Sequence, residues 1–191
     1  VYGSPGANDN SFANFALADF AAYLLKNPQS AHNIRIFFTD GEELGEEGVS
    51  AQGAFALADL FRRLGIQNDD VYVFDSCGRG NVAVLALAGL GAKASPKFKK
   101  SFLSLYQRTA ELLKISSPDA WITLPVPYSD NAGFLACGIP AVAITFLPAD
   151  EVNLYLKNLM ADKNLEKAVM NCKIGFDYQS KADMSIQRFK Y

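Results

Sequence analysis

Segments with helical periodicity alternate along this sequence with short apolar segments rich in β-branched and aromatic residues. This alternation is typical of strand–helix–strand units, in which helices cover the faces of a largely parallel sheet. A chain of 191 residues is long enough for one domain with a substantial core. The pattern therefore predicts an α/β fold rather than a helical bundle or a β-sandwich.

The individual elements follow from the same patterns. Ser11 is positioned to cap the first helix, which we expect to end near Asn27-Pro28, because the residue before a proline avoids the helical region. The apolar stripe of this helix consists of Phe12, Phe15, Ala16, Phe20, Tyr23 and Leu24. The predicted helices are 12–27, 53–64, 98–114 and 149–170. The predicted strands are 33–39, 71–75, 82–88 and 139–146. Residues 177–191 are polar and without pattern, and we expect them to be loosely packed.

Composition excludes several classes of function. His32 is the only histidine, so this chain cannot supply two imidazoles to a zinc site. A net charge of −2 without a long run of Lys and Arg disfavours a nucleic-acid partner. No apolar run reaches the roughly 18 residues of a membrane span, so no membrane partner is expected. Three cysteines are too few for a disulfide framework and favour a reducing compartment.

Acidic residues stand where the predicted strands end. Strand 33–39 leads into Glu42 and Glu43, strand 71–75 ends at Asp75, and Asp9 lies just ahead of the first helix. Asp9, Glu43 and Asp75 are spaced by 34 and 32 residues, and one strand–helix–strand unit takes roughly 30 residues. Ligands of open α/β sheets bind beyond the carboxyl ends of the strands, so these carboxylates are candidates for one site.

Converging carboxylates repel one another unless a cation neutralises them. A divalent metal ion is the simplest such cation. Glu42 and Glu43 are neighbours, so one could bind a metal while the other takes a proton from water, as metal-assisted hydrolysis requires. For any one of these residues the alternative is a solvated loop carboxylate, which is our interpretation of Glu46 and Glu47.

Five segments of the sequence form an ordered set. They are Gly-Ala-Asn-Asp-Asn (6–10), Ile-Phe-Phe-Thr-Asp-Gly-Glu-Glu-Leu-Gly (36–45), Phe-Asp (74–75), Tyr-Ser-Asp-Asn-Ala-Gly-Phe (128–134) and Gly-Ile-Pro-Ala (138–141). In this order they resemble the zinc-dependent aminopeptidases of peptidase family M28. The resemblance implies a three-layer α/β/α sandwich with a central mixed, mostly parallel sheet, two zinc ions, and removal of the N-terminal residue from a peptide substrate. By this resemblance Asp9 would bridge the two ions and Glu42 would be the general base. Glu43 would bind one zinc ion and Asp75 the other, and residues 128–138 would form a wall of the substrate pocket.

Two histidines of the family pattern are absent from this sequence. One belongs to a His-x-Asp at the end of a strand just before residues 6–10, and the other to a His-Thr after the strand at 139–146. We therefore expect residues 1–191 to be a single peptidase domain that is incomplete at its N-terminus and at its C-terminus. We expect the chain alone to bind zinc weakly and to be inactive. The alternative is a relative that has lost metal binding.

Two other functions are compatible with the same residues. A glutaminyl-cyclase-like acyltransferase would use one zinc ion and a similar set of ligands. A metal-free relative would act as a binding domain without catalysis. A thiol nucleophile formed by Cys77 or Cys137 with His32 is disfavoured, because His32 is predicted to lie in a surface turn.

Overall fold

Four strands of the computed structural model, which describes residues 6–42, 52–86, 94–126 and 129–162, form one sheet in the order β1-β4-β2-β3. They are β1 (Val71–Phe74), β2 (Val82–Ala86), β3 (Trp121–Leu124) and β4 (Ala141–Leu147). β1 is parallel to β4 and β2 is parallel to β3, whereas β2 and β4 are antiparallel. The sheet is thus mixed and mostly parallel, which confirms the predicted class.

Five α-helices surround the sheet in the described part of the chain. They are α1 (Phe12–Lys26), α2 (Gly53–Arg63), α3 (Pro96–Ser116), α4 (Asn131–Ala136) and α5 (Ala149–Asp162). Shorter helical turns span Ala7–Ser11 and Pro28–Ser30. None of the helices in these ranges is both long and apolar enough to cross a membrane.

The helices lie on both faces of the sheet. Val84 packs with Tyr155 of α5, whereas its neighbour Leu85 packs with Phe102 of α3. Successive residues of a strand point to opposite faces, so α5 and α3 lie on opposite sides. On β4, Ala141 packs against α2 and α4. This arrangement confirms the three-layer α/β/α sandwich.

Most of the predicted elements are confirmed, and some lie outside the described residues. The helices at 12–27, 53–64 and 98–114 are observed with ends shifted by one or two residues. The last helix is observed to Asp162, and the remainder of its prediction to 170 lies outside the described residues. The same is true of residues 87–88 and of the tail at 177–191. Neither β3 nor α4 was expected from the patterns.

The predicted capping role of Ser11 is wrong. Its backbone is helical and its side chain makes no capping hydrogen bond. The turn Ala7–Ser11 leads directly into α1, and the amides of Ser11 and Phe12 donate to the carbonyl oxygens of Gly6 and Ala7. Because preceding backbone already satisfies these amides, no side-chain cap is needed.

The predicted strand at 33–39 is also wrong as an assignment. Residues 34–42 have no helical or strand conformation and do not join the sheet. A strand is defined by hydrogen bonds to a neighbour, and no described strand pairs with this segment.

The apolar stripe of α1 also differs from the prediction. Only Leu24 of its six residues is buried, and Phe15 is 73% exposed.

Candidate active site

The segment carrying Asp9 is fixed against the carboxyl end of β1. The side chain of Asn10 donates to the carbonyl oxygen of Phe74 at 3.0 Å and accepts from the amide of Ser76 at 3.3 Å. These two bonds go to the residues immediately before and after Asp75, so they hold Asn10 beside the carboxyl end of β1. Asp9 and Asp75 consequently line the same cavity.

Glu42 reaches this cavity from a second segment. The amide of Gly53 donates to the carbonyl oxygen of Asp40 at 2.9 Å, and the side chain of Gln52 donates to the carbonyl oxygen of Glu42. A Cβ atom on Gly53 would lie 2.4 Å from the Asp40 carbonyl oxygen, so only glycine allows this approach. The start of α2 therefore holds the turn that presents Glu42.

The cavity has a volume of about 710 Å³. Asp9, Glu42 and Asp75, three of the four residues predicted for the site, all line it. The fourth, Glu43, lies outside the described residues. Within the described ranges, no three His, Cys, Asp or Glu side chains are grouped so that they could hold a metal ion.

Two hydroxyl groups orient the carboxylate of Asp75. Ser129 Oγ donates to Asp75 Oδ2 at 2.8 Å, and Ser76 Oγ donates to Asp75 Oδ1 at 3.2 Å. Each carboxylate oxygen can accept further bonds, so these contacts fix the orientation of the group without using all its lone pairs. Both oxygens of Asp75 therefore keep acceptor capacity beyond these two bonds.

Asp130 is a site residue that the sequence analysis missed. It lines the cavity close to Asp75, and Thr39 Oγ1 donates to its Oδ2 at 2.5 Å. Burial raises the pKa of the Asp130 carboxyl, the bond from Thr39 opposes this rise, and the nearby charge of Asp75 adds to it. The available signal was the acidic residue in the segment 128–134, which the resemblance assigned as a whole to the pocket wall.

The thiol of Cys77 is not a nucleophile at neutral pH. Burial raises its pKa to about 12, with a further contribution from the charge of Asp75. A thiol with this pKa stays protonated and unreactive. His32, its only possible imidazole partner, is exposed in a turn and is not among the residues that line the cavity. The thiol alternative is therefore unsupported.

The loop after Asp75 is held in place by a close backbone approach at Gly80 and by an ion pair of Arg79. Gly80 has φ +119°, and a Cβ atom there would lie 2.2 Å from the carbonyl carbon of Leu147. Arg79 also forms a two-pronged ion pair with the buried Glu151 of α5, with Nη1 donating to Oε2 at 3.1 Å and Nη2 donating to Oε1. Both contacts attach the loop to the end of β4 and the start of α5.

Replacing Gly80 with alanine is expected to lower the free energy of unfolding by about 3 kcal/mol, since backbone atoms at that distance cannot move aside easily. Gly65→Ala is the matched control, because Gly65 also has a positive φ of +74° but has nothing within 4 Å of its added Cβ. It should cost about 1–2 kcal/mol. Urea unfolding of both variants provides the comparison. Equal losses would mean that the approach to Leu147 is not responsible.

An open α/β sheet with acidic side chains gathered beyond the carboxyl end of a strand is an arrangement typical of an enzyme. The sequence model described as Peptidase family M28 matches residues 1–168. The chain belongs to this family and is therefore a peptidase-type hydrolase. No curated protein matches the chain.

Members of this family are generally zinc-dependent, and the residues at the cavity fit a zinc ion in part. Carboxylate oxygens are suitable zinc ligands, and Asp9 and Asp75 are both among the residues that line the cavity. The described residues bring no imidazole to it. The donor set is thus compatible with zinc but short of the histidines that the resemblance implies.

Proposed function

We propose that the protein is a zinc-dependent aminopeptidase with Glu42 as its general base. The observation that carries the proposal is that Asp9, Glu42 and Asp75 line one cavity, although they come from separate segments. Together with membership of a peptidase family, this arrangement favours metal-assisted hydrolysis.

The proposed roles of the residues are distinct. Asp9 and Asp75 would hold zinc together with Glu43, and the ion would polarise the substrate carbonyl and acidify water. Glu42 would accept a proton from the attacking water as its oxygen bonds to the carbonyl carbon. Glu42 would then give this proton to the departing amine as the C–N bond breaks. Negative charge at this end of the cavity would attract the protonated N-terminus of a peptide.

Aminoacyl p-nitroanilides with free and with acetylated amino groups test the proposal on the zinc-loaded, full-length gene product. Release of nitroaniline only from the free-amino substrates is expected, because the positive amine is the group that the carboxylates recognise. Cleavage of the acetylated substrates would contradict the aminopeptidase assignment. Cyclisation of an N-terminal glutamine peptide without hydrolysis would identify the cyclase alternative instead. Failure to retain any zinc would favour a metal-free binding domain.

Ser129→Ala is expected to weaken zinc binding by about 10–100-fold, because residues that orient a metal ligand typically have effects of this size. Its hydroxyl bond to Asp75 Oδ2 would be lost, while the carboxylate itself would remain. Competition with a chromogenic chelator measures the affinity. Ser101→Ala, at an exposed position of α3, is the control and should leave the affinity unchanged. Equal affinities of the two variants would exclude an orienting role for Ser129.

A further inference from the structure

The two residues that precede α4 join separate parts of the candidate site. Ser129 Oγ donates to Asp75 Oδ2 at 2.8 Å. Asp130 Oδ2 accepts from Thr39 Oγ1 at 2.5 Å. Because Ser129 and Asp130 are consecutive, their Cα atoms are about 3.8 Å apart. One peptide unit therefore links the residue that ends β1 to the segment that leads to Glu42.

The start of α4 is itself firmly supported. The amide of Ser129 donates to Oδ1 of Asn131 at 3.1 Å, and the Asn131 side chain is buried. A Cβ atom on Gly133 would lie 2.9 Å from the backbone nitrogen of Phe55, so α4 packs directly on the backbone of α2. Asp130 is thus carried by a segment that is fixed on both sides of it.

The turn at residues 39–42 is attached to two helices. The start of α2 donates two hydrogen bonds to it, to the carbonyl oxygens of Asp40 and Glu42. At its first residue, Thr39, the turn is attached instead to Asp130, which directly precedes α4. A hydroxyl that donates to a carboxylate forms a short hydrogen bond that is about twice as strong as a neutral one. Losing that bond would release the first residue of the turn while its bonds to α2 remained.

We propose that Asp130 is a positioning residue that holds Glu42 at a fixed place relative to Asp75. The inference rests on the proposed function, in which Glu42 is the general base and Asp75 binds the metal ion. A general base must lie within hydrogen-bonding reach of the water whose proton it takes. A misplacement of about 1 Å can cost about 100-fold in rate. The bridge through Thr39 and Ser129 is short enough to meet this requirement.

Binding the metal ion directly is the other role for a carboxylate at this cavity. One oxygen of Asp130 is already engaged by Thr39. Among the described residues, which include Asp9, Asp75 and Asp130, no three His, Cys, Asp or Glu side chains are grouped so that they could hold a metal ion. The geometry therefore favours positioning, and the two roles differ in their effect on zinc.

Thr39→Val tests the bridge, because it removes the hydroxyl but keeps nearly the same shape at an exposed position. In the zinc-loaded, full-length protein, kcat for aminoacyl p-nitroanilides is expected to fall by about 10–100-fold, with KM and zinc content unchanged. Thr39→Ser, which keeps the hydroxyl, should recover most of the activity. In a Glu42→Gln enzyme, Thr39→Val should lower kcat by less than about twofold further, because the residue through which it acts is already disabled.

Amide hydrogen exchange of the same variants tests the bridge without requiring activity. The amide of Gly53 reports on the turn, because it donates to the carbonyl oxygen of Asp40. It is expected to exchange about 10-fold faster in Thr39→Val than in Thr39→Ser, since a less firmly attached turn opens more often. The amide of Asp75 donates to Ile144 of β4 and is the internal control, which should not change.

Equal exchange of the Gly53 amide in the two Thr39 variants would overturn the proposal. Equal losses of kcat from Thr39→Val with and without Glu42→Gln would also overturn it, because the effect would then not pass through the base. Loss of bound zinc in Asp130→Asn would do the same and would make Asp130 a ligand. An unmodified protein that cleaves no aminoacyl substrate would contradict the proposed aminopeptidase, whereas faster Gly53 exchange in Thr39→Val would still support the attachment of the turn.

Discussion

Glu42→Gln is expected to lower kcat for aminoacyl p-nitroanilides by about 10²–10⁴-fold, the usual contribution of a general base. An amide has nearly the shape of a carboxylate but cannot accept the proton of the attacking water. KM and zinc content should change little, because Glu42 is not proposed to bind the metal or the substrate. Steady-state kinetics with the zinc-loaded, full-length protein, together with metal analysis of each variant, give the measurement.

Glu111→Gln is the matched control for this substitution. Glu111 is exposed on α3 and is not among the residues that line the cavity. The same loss of charge there should leave kcat within about twofold of the unmodified enzyme, since charges exposed at a distance are strongly screened. A Glu42→Gln enzyme that keeps full activity would exclude this residue as the base. A large loss of zinc would instead assign it to the metal.

The acidic residues of the site could be predicted from sequence because of two regularities. Parallel strands end at the same edge of a sheet, and the chain returns to that edge after each strand–helix unit. Asp75 follows a described strand, β1, whereas Asp9 and Glu42 line the same cavity from segments that lie outside the described sheet. Asp130 could not be predicted in the same way, because neither β3 nor α4, which flank it, has a long periodic pattern.

The errors in the fold have a common physical cause. Both the stripe of α1 and the strand at 33–39 were predicted from local composition, and local composition does not specify what lies on the other side of an element. Residues 33–39 line the cavity beside β1. In the stripe of α1 only Phe20 lines that cavity, and Phe12, Phe15 and Tyr23 are exposed. Strand formation depends on a partner as well as on propensity. The composition of residues 33–39 is typical of a strand, but no described strand pairs with the segment, so it does not form one.

Glu151→Ala should lower the free energy of unfolding by about 3 kcal/mol. Removing one member of a buried ion pair leaves the other charge without compensation, and typically costs about 3–5 kcal/mol. The side chain of Glu151 is only 6% exposed and that of Arg79 is 25% exposed, so partial solvation of Arg79 places the effect at the lower end. Urea unfolding monitored by circular dichroism gives the measurement.

Two further variants separate loss of the charge pair from loss of packing. The double variant Arg79→Met/Glu151→Leu should recover most of the stability, because apolar side chains of similar size can replace a buried pair without leaving an isolated charge. Asp59→Ala removes an exposed partner of Arg62 and Arg63, and water screens such pairs, so it should barely move the unfolding midpoint. If Asp59→Ala and Glu151→Ala had equal effects, burial of the pair would not explain its strength. If the double variant were no more stable than Glu151→Ala, the loss would come from packing around the loop after Asp75 rather than from the uncompensated charge of Arg79.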